Sequence, residues 1–180
     1  YELLIAIVLS AQTTDKRVNM VTPILFSKYP NLEKLSEAPI DLLEEILKPI
    51  GSFRKKAVYV KDIAYNLTTK YQGVVPTDRE KLEKLKGVGR KTINVFLSEY
   101  YNYPAIAVDT HVERISKRLR IASKKATVLE VEEKLQKFFP KDEWAKRHLQ
   151  LVLFGRYHCK AVKPDCSSCP LKELCRDYKN

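Results

Sequence analysis

TDREKLEKLKGVGRKTINVFLSEYY, residues 77–101, reads as two helices hinged on glycine. Behind Pro76, Thr77-Asp78-Arg79-Glu80 has the S/T-x-x-E form of a capping box, which predicts a helix over about 78–85 with Thr77 at its cap. Leu85-Lys86-Gly87-Val88-Gly89 then breaks the pattern. A second helix is expected from near Arg90, with Ile93, Phe96, Leu97 and Tyr100 at helical spacing. Glycines in so tight a reversal let the backbone approach a ligand closely. The amides of the turn and of the second helix's first residues then point outward, unpaired and partly positive, as a site for phosphate.

Outward from this hairpin the pattern stays helical. Leu42, Leu43, Ile46 and Leu47, then Val112, Ile115 and Leu119, then Leu129, Val131, Leu135 and Phe138 recur mostly at gaps of three or four. Only 5 glycines occur in 180 residues, against about 7% in average usage, which disfavours a turn-rich β fold. The 9 prolines are read as punctuation between helices. The expected class is all-α. An apolar fraction of 44% excludes a disordered chain. The longest apolar run, Leu3–Leu9, is far short of the roughly 20 residues of a membrane span. The protein is therefore expected to be soluble, and without a signal sequence intracellular. With 33 Lys+Arg against 22 Asp+Glu the net charge is +11, which suits a nucleic-acid partner.

Arg90 and Lys91 sit on the first turn of the second helix, where the macrodipole disfavours cations. A local rule broken at two adjacent residues marks a functional site. That favours a DNA-phosphate role over the plainer reading of an αα-hairpin that merely turns on Gly. The dipole and the neighbouring Arg90 also penalise the ammonium of Lys91 and favour its neutral amine, a nucleophile able to form a Schiff base. From composition alone a second reading prevails, in which Lys91 is one more phosphate contact, since most lysines on a basic chain are solvated charges.

Asp109 lies 18 residues further on, after the apolar run Ala105–Val108. Thr110-His111-Val112-Glu113 is a second capping box, predicting a helix over about 111–120 with Thr110 at its cap and Asp109 just outside. A carboxylate so placed can take up a proton or stabilise positive charge on a sugar. His111 is read as structural.

Cys159, Cys166, Cys169 and Cys175 follow C-x6-C-x2-C-x5-C within the last 22 residues. Four thiols with a CxxC core, in a chain expected to be intracellular, read as a metal site rather than as disulfides. Zinc and an iron–sulfur cluster both fit four cysteines. Lys160, Lys163 and Lys172 make the loop a second basic surface.

Together LLIAIVLSAQTTD (3–15), LKGVGRKT (85–92), AIAVDTHVERISKRL (105–119), LFGRYHC (153–159) and the cysteine loop (159–175) resemble the endonuclease III family of helix-hairpin-helix DNA glycosylases. The resemblance spans nearly the whole chain. It implies a base-excision repair enzyme that removes oxidised pyrimidines from double-stranded DNA and nicks abasic sites by β-elimination. It implies Lys91 as nucleophile and Asp109 as the essential carboxylate. Gly87, Val88 and Gly89 match the phosphate-binding hairpin, and Gln12 matches a glutamine that fills the DNA stack. The four cysteines match ligands of a 4Fe-4S cluster, with zinc the alternative. Lys86 stands where the family often has Pro, which should loosen the hairpin slightly while adding a phosphate-seeking charge. Ser52, after Gly51, stands where relatives often have a bulky wedge. The family usually has a further N-terminal segment on the cluster domain, and this chain begins after it.

Two lobes are expected, 1–103 carrying the hairpin (78–101) and 104–180 carrying the cluster loop, with a DNA cleft between them. The expected partner is duplex DNA with damaged pyrimidines or abasic sites, bound by a monomer and away from membranes. Two other readings remain. A monofunctional adenine-specific mismatch glycosylase usually lacks a nucleophile at the position of Lys91 and adds a C-terminal domain for which an end at Asn180 leaves no room. A non-catalytic helix-hairpin-helix module would only grip DNA.

Overall fold

The structure is a computed structural model and describes residues 1–178. Ten α-helices and one short 3-10 turn account for the regular structure among these residues, with no strand. The fold is all-α. Contacts divide the chain after Phe96, inside a helix, whereas the sequence reading drew its boundary at 103/104.

The first unit is organised around α5 (Phe53–Lys70), the longest helix, which packs against α1 (Glu2–Leu9), α3 (Leu32–Glu37) and α4 (Ile40–Leu47). α2 (Asp15–Lys28) lies against α1 and α4. Leu4, Ile5, Leu9, Leu43, Leu47, Ile63 and Leu67 are fully buried, each such side chain contributing about 1.5–3 kcal/mol. Pro23 lies inside α2 rather than between helices. It is exposed, so the backbone bond it removes is lost on a face open to water.

The second unit, from Leu97 onward, has its own core. Ile106, Val108, Val112, Val131 and Leu135 are buried, with Trp144, Leu151 and Val152 packed at the edge. α8 (Thr110–Arg118) packs against α9 (Val128–Phe138) and α10 (Trp144–Tyr157). At Gly155 of α10 an added Cβ would lie 2.7 Å from His111 Cβ, so α8 and α10 cross where only glycine fits. α10 leads directly into the cysteine loop.

Both predicted caps shift by one residue. Asp78, not Thr77, caps α6 (Arg79–Glu83), its carboxylate accepting from the Glu80 and Lys81 amides. Asp109, not Thr110, caps α8 and accepts from the His111 and Val112 amides. A carboxylate accepts as well as a hydroxyl and adds a full negative charge to the positive end of the dipole. Where Thr and Asp adjoin, Asp therefore takes the cap.

Candidate active site and cysteine loop

α6 and α7 (Arg90–Tyr101) form the hairpin, and a bond from the Arg79 guanidinium to the buried Asn94 ties them together. Leu85 and Val88 are buried and peg the turn to the first unit. Gly87 has φ +80°, and a Cβ there would lie 2.3 Å from the ring of Tyr59 on α5. Gly89 faces open space. Its carbonyl accepts from the Ile93 amide at 3.0 Å, which makes the amides of Lys91 and Thr92 first-turn donors with no partner inside the helix. Arg90 and Lys91 are exposed.

Gln12 lies in the same unit, on the loop after α1, exposed and with φ 53°. Ser52 has φ 56°, and the adjacent Gly51 lies against the Gln12 carbonyl. Two left-handed non-glycine residues on neighbouring loops store roughly 1–3 kcal/mol each, a pattern found at functional sites.

Lys56 holds this loop, a role the sequence reading missed. It is 4% exposed, and its ammonium donates to Ala11 O at 2.8 Å and Thr13 Oγ1 at 2.7 Å, on either side of Gln12. The signal was present: Lys56 stands one turn before Val60, in line with the buried stripe Val60, Ile63 and Leu67 of α5. Burial pushes its pKa below the ordinary 10.5. The folded state thus releases this proton before the unfolded state does, so stability rises with pH through the window just below 10.5. Lys56→Met should lower stability by about 1–3 kcal/mol through the orphaned acceptors. It should also remove this part of the rise, and thermal melts of parent and variant across the window check both.

In the second unit α8 carries both the carboxylate and the anchor of the cysteine loop. Asp109 Oδ1 accepts the His111 amide at 2.9 Å and the Val112 amide at 2.8 Å. That leaves Oδ2 outside the cap. Arg114, also missed from sequence, donates to the Gly155 carbonyl at 2.8 Å and twice to the Cys159 carbonyl, at 3.1 and 3.0 Å. Its Nη2 also lies 3.1 Å from His111 Nδ1, so His111 is part of this anchor. One turn on, Arg118 Nη1 lies 3.2 Å from Cys159 Sγ and donates to the Lys160 carbonyl at 2.8 Å.

All four cysteines line one cavity of about 190 Å³ with Arg118, His158 and Lys172. His158 Nε2 is buried with no protein partner, a donor suited to a sulfide or thiolate acceptor. Lys160 and Lys163 are exposed, whereas Lys172 turns toward the cavity.

A profile of the HhH-GPD superfamily of base excision DNA repair proteins matches residues 5–141, and the iron–sulfur binding domain of endonuclease III matches 159–175. The chain belongs to the endonuclease III family. It is 50% identical to endonuclease III of Bacillus subtilis (strain 168) over 177 residues, covering 98% of this chain and 81% of that one. Against Escherichia coli (strain K12) endonuclease III the identity is 42%, covering 99% and 84%. A solved structure described as a trapped endonuclease III–DNA covalent intermediate superposes with a TM-score of 0.94 at 52% identity, covering 98% of this chain and 83% of that one.

Like its family, the chain is a base-excision repair DNA glycosylase and abasic-site lyase with a 4Fe-4S cluster, and DNA is its partner. The four cysteines line one cavity, so the residues present are grouped to hold such a cluster.

Proposed function

We propose that this protein removes oxidised pyrimidines from double-stranded DNA and nicks the strand by β-elimination, with Lys91 as nucleophile and Asp109 as the essential carboxylate. The observation that carries this is the exposed Lys91 on the first turn of α7, an amine among first-turn amides that have no partner inside the helix, at its positive end.

The target nucleotide must leave the stack, at a few kcal/mol that damage lowers. The Val88 amide is taken by the Leu85 carbonyl at 3.1 Å, so the turn's unpaired amides expected from sequence reduce to those of Gly87 and Gly89. These, with the first amides of α7 and Arg90, hold backbone phosphates and offset that cost. Lys160 and Lys163 add charge on the cysteine loop, and Gln12 fills the stack. Lys91 Nζ, as free amine, bonds to the sugar C1′ while the glycosidic bond breaks and its electron pair leaves with the base. Asp109, through the oxygen its cap leaves over, takes up a proton or stabilises positive charge on the sugar. Loss of nitrogen protons and ring opening give an imine. Removal of a C2′ proton then expels the 3′ phosphate.

Cys159, Cys166, Cys169 and Cys175 are the cluster's ligands, and the cluster supplies a rigid, charged shape to the loop. The protein works inside the cell as a monomer. The test is a set of duplexes carrying one oxidised thymine, one unmodified thymine, or one adenine opposite oxidised guanine. Base release with nicking is expected on the first alone. Adenine release without nicking would establish the monofunctional reading, and binding without release the non-catalytic one.

A further inference from the structure

The hairpin turn is held from one side by a single helix. On α5, Tyr59 lies under Gly87, where its ring fills the space a side chain would need. One turn later comes Asp62. Its Oδ2 accepts the Lys86 backbone amide at 3.2 Å and the Asn66 side-chain amide at 3.1 Å. Its Oδ1 lies 3.2 Å from the Lys86 ammonium. The two carboxylate oxygens therefore grasp one residue twice, by its main chain and by its charge.

The geometry points to Asp62 as the residue that positions the hairpin turn, and to Lys86 as the turn's anchor rather than a phosphate contact. The inference rests on the reading that this hairpin binds DNA phosphate, and deepens it.

Exposed ion pairs ordinarily contribute little, and the Lys86 side chain is 60% exposed. This pair differs because its carboxylate is fixed. The Asp62 side chain is only 18% exposed, and the Asn66 and Lys86 amides hold it in place. The neighbouring Lys61 does not compete, since its ammonium donates to the Ala38 carbonyl at 2.8 Å. A bare carboxylate beside a phosphate-binding loop would repel the ligand. Neutralised by Lys86, it can order the loop without that penalty. Proline at position 86 could make neither contact, having no amide proton and no charge. Lysine thus supplies, through Asp62, two ties that proline could not make, which offset the loosening expected from sequence.

The counterion release measured on binding reads the state of the Lys86 charge directly. The probe is a duplex with a non-cleavable tetrahydrofuran abasic analogue, titrated at several salt concentrations. Each phosphate neutralised adds about 0.9 to the slope of log affinity on log salt. Asp62→Asn should steepen the slope by about 0.9 by releasing the ammonium, and Asp62→Asn with Lys86→Gln should return it to the parent value. No change in Asp62→Asn, or a double variant shallower than the parent by about 0.9, overturns the inference.

A second measurement needs no DNA. In the free protein Asp62→Ala should speed hydrogen exchange of the Lys86 amide about tenfold or more, through loss of a bond to a charged acceptor. Unchanged exchange likewise overturns the lock. Fast exchange in that variant, with no DNA binding by the parent, would uphold the lock and sink the proposed function instead.

Discussion

Lys91→Gln is expected to be inactive and no less stable than the parent. In the parent, borohydride should trap a covalent adduct with abasic DNA by reducing the imine. Glutamine has no amine to form one, so trapping should fall to background and nicking by roughly three orders of magnitude or more. Lys91 is exposed and lies on the first turn of α7, where the dipole disfavours its charge. Removing that charge should be neutral or stabilise by about 0.3–1 kcal/mol. A thermal melt beside the trapping gel separates the two effects. Loss of trapping with a lowered melting temperature would indicate damage to the hairpin. Undiminished trapping would move the nucleophile to another residue.

Asp109 calls for a pair of variants, because one carboxylate serves two purposes. Oδ1 caps α8 through the His111 and Val112 amides. Asn retains that acceptor and loses only the charge, so Asp109→Asn should cost about 0.3–1 kcal/mol of stability. Asp109→Ala loses the cap as well and should cost about 0.5–2 kcal/mol. Base excision should fall in both by roughly 10²–10⁴-fold, the usual contribution of a positioned acid or base. Trapping on abasic sites already formed should suffer less, since no base has to leave. Excision that tracked stability, intact in Asn and lost in Ala, would reduce Asp109 to a cap.

The Ala variant should also disturb the cysteine loop. The helix that Asp109 starts carries Arg114 and Arg118, which hold Cys159 by its carbonyl and its sulfur. The carboxylate and the cluster loop thus share one helix.

The all-helical class, the hinge at Gly87–Gly89, the helix start at Arg90 and the grouping of the cysteines were legible in the order of residues. Each depends on near neighbours: on spacing along one helix, on a glycine's freedom, or on a short loop that cannot separate its thiols. Cap placement was legible only in outline, since Thr and Asp stand side by side at both sites and their competition turns on charge.

Tertiary structure alone decided the supports. Lys56 reaches back 45 residues to Ala11, Asp62 reaches forward 24 to Lys86, and Arg114 spans 45 to Cys159. In sequence Asp62 and Arg114 are two of 55 charged side chains on a basic chain, and nothing nearby distinguishes them from solvated ones; only Lys56, in line with an apolar stripe, stands out. Only packing shows which charges have exchanged water for a carbonyl or carboxylate far along the chain. Spacing therefore reveals the groups placed to react, while burial reveals those that hold them still.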